Sequence, residues 1–144
     1  MIGIPHWEYE FQHYPRWGSR HFARQLINSI GFDLLVGSHP HTLFPMDAFQ
    51  NGLCFYSLGN LVGQGIAWQV KLISILEVKL VTDPCIQGPD AITQNGHSGI
   101  LGYQLHFFVQ SHHKDGSIHI IPLEDTPIKT RNRMQQHICR IYRP

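Results

Sequence analysis

Short apolar runs on either side of one segment with helical periodicity dominate the first 40 residues. Ile2 to Pro5 predicts the end of a strand that delivers His6 to a loop, and Leu34 to Val36 predicts a strand buried on both faces. Residues 19 to 30 between them predict a helix. The order strand, helix, strand predicts one βαβ unit with a parallel pair of strands, and therefore an α/β fold.

The predicted helix has an apolar face and signals at both ends. Ser19 is the predicted N-cap, and Gly31 stands where a left-handed C-cap residue belongs. The predicted buried face comprises Phe22, Ala23, Leu26, Ile27 and Ile30.

Beyond residue 50 the pattern is β-rich and ends in one helix. Strands are predicted at 53–57, 70–81, 100–110 and 118–122. Asp115-Gly116 is a hairpin-turn signal before the last of them. Loops are predicted at 59–65 and 83–99, and a closing helix at 130–142 has Met134, Ile138 and Ile141 on one side.

Length, composition and charge limit the classes of protein to which this chain can belong. The 144 residues suit one domain, and 42% hydrophobic with 15% charged residues is typical of a globular chain. A net charge of +1 without a basic stripe argues against nucleic acid as a partner.

The cysteines Cys54, Cys85 and Cys139 form no C-x-x-C pair, which argues against a disulfide framework or a thiolate zinc site. No secretory signal or transmembrane segment is visible, so a cytoplasmic location is the default expectation.

Histidine is the unusual residue in the composition. There are 11 histidines against 10 Asp and Glu together, and histidine is the commonest metal ligand. His39 and His41 follow the predicted strand 34–36, at the edge where open α/β sheets bind ligands, and Pro40 between them restricts the backbone. From this pair alone, a metal site and a loop with two solvated histidines are equally supported.

His6 follows the other strand of the predicted βαβ unit. A lone histidine at a strand end is more often a hydrogen-bonded structural residue than a ligand. The carboxyl ends of parallel strands, however, share one edge of the sheet. We therefore expect His6, His39 and His41 to converge on one metal site, to which Glu8 or Glu10 could add a carboxylate.

Residues 56–60 read Tyr-Ser-Leu-Gly-Asn after a predicted strand. The Asn60 amide is a candidate metal ligand or substrate contact, and Ser57 is a candidate for lining the same site. A Gly-Asn pair is more often ordinary turn chemistry, which is the favoured interpretation here. His112 and His113 are predicted to be solvated residues at a hairpin end.

Three segments in this order give the chain a family resemblance. They are His6-Trp7 with its acidic and aromatic followers, Gly-Phe-Asp-Leu-Leu-Val-Gly-Ser-His-Pro-His at 31–41, and Tyr-Ser-Leu-Gly-Asn at 56–60. Together they resemble the C-terminal signature of the bacterial capsule-synthesis CapA (poly-γ-glutamate) family, with its H-W-G-x-E-like, G-H/S-H-P-H and Y-S-L-G-N segments. The resemblance is close over residues 2 to 65.

The resemblance implies the C-terminal half of a calcineurin-like α/β sandwich, as a single partial domain over 1–144. By that analogy His6 matches the lone histidine ligand of the family. His39 and His41 match its paired histidines, one on each of two divalent metals (Mn, Fe or Zn). Such a centre implies a metal-dependent hydrolase in which an activated water attacks a phosphoester or an amide or acyl centre.

Two departures from the family pattern bear on activity. Glu8 stands where the family usually has glycine. The D-x-H, G-D-x-x-D and N-N-H motifs, which supply carboxylate ligands and the catalytic histidine in the family, are absent before His6. The resemblance therefore implies that an N-terminal half or partner chain supplies them. The alternative is a catalytically incomplete fragment that acts only as a metal-binding or structural partner.

Overall fold

The computed structural model describes residues 1–63, 67–81 and 99–142. Its strands are β1 (Ile2–Gly3), β2 (Leu34–Val36), β3 (Met46–Phe49), β4 (Gly52–Phe55), β5 (Leu72–Val81), β6 (Gly99–His112) and β7 (Ile118–Pro122). Its α-helices are α1 (Trp17–Gln25), which continues as a π-helical segment (Leu26–Ile30), and α2 (Ile128–Ile141). Short 3-10 turns occupy Trp68–Lys71 and Leu123–Asp125.

The first sheet contains the predicted βαβ unit. Its strand order is β1-β2-β4-β3, and β1, β2 and β4 run parallel. β3 pairs antiparallel with β4 at the edge of the sheet. β3 is absent from the sequence prediction because a four-residue edge strand gives too short a run to show a period of two.

The start of α1 differs from the prediction. The helix begins at Trp17 with Arg16 as its N-cap, so the assignment of Ser19 as the cap is wrong. The Arg16 side chain makes no capping bond, and its backbone N–H instead donates to the Glu8 carboxylate (3.1 Å). The carboxylate of a residue eight positions earlier thus lies at the helix start, where negative charge is favourable.

The apolar face of the helix is only partly buried. Ala23 and Ile27 are fully buried as predicted, whereas Phe22 and Ile30 are 51% and 59% exposed, against prediction. The π-helical segment shifts the helical phase after Gln25, which accounts for the exposure of Ile30. Phe22 lies before this segment, in the regular part of α1, so its exposure has another cause. Gly31 ends the helix at φ 95°, which confirms the predicted left-handed C-cap.

The first sheet is covered on both faces. Leu35 and Cys54 of its strands, and Tyr56 directly after β4, pack towards α1. Their neighbours Leu34, Leu53 and Phe55 pack against the second sheet. The α/β class is confirmed, and the calcineurin-like relationship stays a prediction.

The second sheet is the antiparallel array β5-β6-β7. The three predicted strands and the hairpin turn, with Gly116 at φ 86°, are confirmed, except that Val70 and Lys71 belong to the preceding 3-10 turn. The predicted closing helix is confirmed as α2, and Met134 and Ile141 pack with Leu72 and Val109. Residues 64–66 and 82–98 lie outside the described residues, and they include the end of the predicted loop 59–65 and nearly all of the predicted loop 83–99. Within the described ranges no helix is long and apolar enough to cross a membrane.

α2 carries a buried histidine. His137 is 3% exposed, and its ring packs edge-on against Trp68 and His13 at centroid distances of 5.1 and 5.2 Å. Nη2 of Arg140 donates to its Nδ1 (3.0 Å), an acceptor that only the neutral ring offers. Burial, followed by His13 and Arg140, lowers the pKa of His137 to about 4.

We expect stability to fall on mild acidification because of this residue. A histidine in the unfolded chain binds a proton near pH ~6.5, whereas folded His137 resists protonation until about pH 4. The free energy of unfolding should therefore drop by roughly 2–3 kcal/mol between these values, as measured by urea denaturation. His137→Phe should lose most of this dependence and exposed His112→Phe should keep it. Equal pH slopes in all three proteins would contradict the assignment.

Candidate metal centre

Two loops leave the carboxyl ends of β1 and β2 and run side by side. His6 and Ser38 form a parallel bridge beyond the strands, and the Trp7 N–H donates to the Ser38 carbonyl (3.2 Å). Further along, the Phe11 N–H donates to the Pro40 carbonyl (2.8 Å). The parallel pairing of the sheet is thus extended into the loops, which brings their side chains to one place.

The three predicted histidines lie together at this edge, and a carboxylate joins them. Glu10, His39 and His41 each have a ligand atom within 4.8 Å of the others, and His41 Nε2 lies 3.7 Å from Glu10 Oε1. The His6 ring lies beside this group, 4.4 Å from His39 between centroids. Within the described ranges these are the only three residues that form such a group of His, Cys, Asp or Glu.

Backbone strain is concentrated in the same two loops. Among the described residues other than glycine, positive φ occurs at Glu8 (70°), Phe11 (63°), His39 (104°) and His41 (62°). Each such residue costs of order 1–3 kcal/mol, and such strain clusters at functional sites. The fold therefore maintains this arrangement of the loops against a local energetic preference.

Asn60 fixes the orientation of His41. Its Oδ1 lies 2.6 Å from His41 Nδ1, and an amide oxygen can only accept, so the ring carries its proton on Nδ1. His41 Nε2 then presents its lone pair on the side of Glu10. Metal-ligating histidines usually donate their second ring N–H in this way. The turn interpretation of Asn60 is therefore incomplete, since its side chain contacts a candidate ligand.

Two other predicted site residues have contacts elsewhere. The Glu8 side chain is fully buried, and its carboxylate accepts from Nε (3.0 Å) and the backbone N–H of Arg16. Ser57 is 2% exposed, and its hydroxyl oxygen accepts from the Gly59 N–H (3.3 Å). Sequence reasoning did not single out Phe11, which stacks on the His41 ring at 5.9 Å.

The donor set fits a divalent metal. Two imidazoles and one carboxylate are ligands that Mn, Fe and Zn all accept. Metal–ligand bonds of ~2.1 Å in a tetrahedral site place ligand atoms about 3.4 Å apart, close to the 3.7 Å between His41 and Glu10. Glu10 is exposed and both histidines are half-buried, so solvent or substrate can reach the group.

We expect Asn60→Ala to weaken zinc binding by roughly 10–100-fold, because loss of a ligand's hydrogen-bond partner typically has that effect. Competition titration with a chromophoric chelator measures the affinity. Asn132→Ala, which removes an exposed amide from α2, is the matched control and should bind as the wild type does. Unchanged affinity in Asn60→Ala would mean that the His41 contact has no part in metal binding.

Comparison with known proteins supports the family resemblance of the segment that contains these residues. Residues 1–64 match the family model described as Bacterial capsule synthesis protein PGA_cap. The chain is 40% identical over 57 residues to the PGA biosynthesis protein CapA of Bacillus subtilis (strain 168). It is 39% identical over 57 residues to the Capsule biosynthesis protein CapA of Bacillus anthracis.

These matches cover part of this chain and a small part of each relative. They span 40% of this chain but only 15% and 14% of the two relatives, about one-seventh of their length. The segment that the family model matches, residues 1–64, contains the whole candidate centre, with Glu10, His39, His41 and Asn60. The resemblance to the bacterial capsule synthesis family is thereby confirmed over residues 1–64.

Proposed function

We propose that this chain supplies the histidine side of a divalent-metal centre in a CapA-like hydrolase. The observation that supports it is the convergence of Glu10, His39 and His41 within 4.8 Å, in the segment that matches the capsule synthesis family. The proposed reaction is attack of water on a phosphoester or on an amide or acyl centre of a capsule-type polymer such as poly-γ-glutamate.

The roles of the residues follow from their contacts. His39 and His41 are the proposed imidazole ligands, Glu10 is the proposed carboxylate ligand, and His6 lies close enough to His39 to serve a neighbouring metal. A divalent metal bound there would polarise the substrate oxygen and lower the pKa of a bound water. The Phe11 ring lies beside the His41 ring, with 5.9 Å between the ring centroids.

Further ligands are proposed to come from other polypeptide segments. The group offers a single carboxylate, whereas a two-metal centre stabilises both the attacking and leaving oxygens and needs more anionic ligands than one. The relatives are about seven times longer than the stretch they share with this chain. We therefore place the proposed activity in a complex with an N-terminal half or a partner chain.

The test is hydrolysis of bis-p-nitrophenyl phosphate and of γ-glutamyl-p-nitroanilide. The chain, loaded with Mn, Fe or Zn, is assayed alone and mixed with the N-terminal part of the Bacillus subtilis relative. We expect turnover in the mixture that requires metal and is lost in Glu10→Gln, but not in exposed Glu124→Gln. Folded, metal-loaded mixtures that turn over neither substrate would favour the alternative, a metal-binding or structural partner without catalysis.

A further inference from the structure

A buried glutamine of the second sheet contacts the turn that follows β4. Gln110 lies in β6 and is 2% exposed. Its Nε2 donates to the Asn60 carbonyl (3.2 Å), and its Oε1 accepts from the Gly63 N–H (3.1 Å). A buried amide needs both kinds of partner, and here both belong to one turn some 50 residues earlier in the chain. One side chain thus fixes both ends of the Asn60–Gly63 turn.

The same turn determines where the Asn60 side chain lies. Asn60 Nδ2 is so close to Gly63 that a Cβ on that glycine would lie only 2.9 Å from it. On its other side, Asn60 Oδ1 accepts from His41 Nδ1 (2.6 Å). The amide is therefore confined between the turn and the imidazole, so a shift of the turn moves the hydrogen-bond acceptor of His41.

We propose that Gln110 is a positioning residue of the metal centre, which acts through the Asn60–Gly63 turn to hold His41 with its proton on Nδ1 and its Nε2 free. Its role in binding rests on the proposed metal centre, but its effect on the tautomer does not require metal. Gln110 lies outside residues 1–64, the segment that matches the capsule synthesis family. Through Gln110, the second sheet therefore helps to position His41.

The variant Gln110→Met removes both hydrogen bonds at nearly constant volume. Nitrogen-15 NMR of the histidine rings, on metal-free protein at a pH well above ~6.5, reports which ring nitrogen carries the proton. We expect Nδ1–H for His41 in the wild type and a shift towards the Nε2–H form, which a free imidazole favours, in Gln110→Met. Zinc affinity should fall by about 10-fold or more. Gln110→Glu retains an acceptor for the Gly63 N–H but no donor for Asn60, and it serves as a second variant if Gln110→Met does not fold.

Ser74→Ala controls for a merely structural effect. Ser74 is 5% exposed, and its hydroxyl donates from β5 to the Leu58 carbonyl (3.0 Å), next to the same turn. It should lose a comparable amount of stability and keep both the His41 tautomer and the zinc affinity. An unchanged tautomer in the Gln110 variants, or an equal shift in Ser74→Ala, would overturn the inference. A shift confined to the Gln110 variants, in a protein that binds no zinc, would retain the positioning effect and reject the metal centre.

Discussion

The variant His39→Ala/His41→Ala is expected to lose tight zinc binding while it remains folded. The wild-type centre offers two imidazoles and the Glu10 carboxylate within 4.8 Å, and the variant keeps only the exposed carboxylate. Since loss of a single supporting hydrogen bond weakens metal sites by about 10–100-fold, loss of two ligands should weaken binding by more than ~100-fold. Competition titration with a chelator, on protein purified without a metal-binding tag, measures the change.

A matched control separates this site from incidental binding by histidines at the surface. His112→Ala/His113→Ala removes the same number of imidazoles from an exposed hairpin, where the His113 ring lies 4.3 Å from that of His119. We expect wild-type zinc affinity in this control. An equal loss of affinity in both double variants, or no loss in either, would contradict the assignment of the centre.

The second large effect is expected at Gly37, between β2 and the paired histidines. A Cβ at this buried position would lie 2.2 Å from the Tyr56 carbonyl oxygen and 2.3 Å from Trp7 Nε1. Those two atoms are themselves hydrogen-bonded at 2.9 Å. Gly37→Ala must therefore separate Trp7 from Tyr56, and we expect the free energy of unfolding, measured by urea denaturation, to fall by about 3 kcal/mol, the upper end of overpacking costs.

Gly18→Ala is the corresponding control. Gly18 lies in α1, and a Cβ there meets no atom within 4 Å. Because alanine is a better helix former than glycine, this variant should be as stable as the wild type or gain up to about 1 kcal/mol. Similar losses in both variants would show that the close approach at Gly37 is not the cause.

The βαβ unit and the hairpin could be predicted because their signals are local. A continuous apolar run at Leu34 to Val36, a helical period before it and an Asp-Gly turn at 115–116 each specify an element without knowledge of the rest. The true start of α1 could not be predicted in this way. Glu8 lies at the helix start instead of a local Ser cap, and this contact depends on the path of an irregular loop.

The candidate site also has some residues that could be predicted from local signals and others that could not. His39 and His41 could be predicted because parallel strands end at one edge of a sheet. The choice between Glu8 and Glu10 could not, since it depends on Arg16 pairing with Glu8. The contact between Asn60 and His41 joins residues 19 apart in the chain. The spacing of residues does not reveal such a contact, so the sequence favoured ordinary turn chemistry for Asn60.

X-ray absorption at the zinc edge, on the zinc-loaded wild-type chain, tests whether His39 and His41 are metal ligands, because it reports the ligands themselves. We expect two imidazole ligands, with multiple-scattering features from their rings, and oxygen ligands near ~2.0–2.2 Å. A spectrum of fully hydrated zinc, or a first shell without imidazole, would contradict the assignment of His39 and His41 as metal ligands.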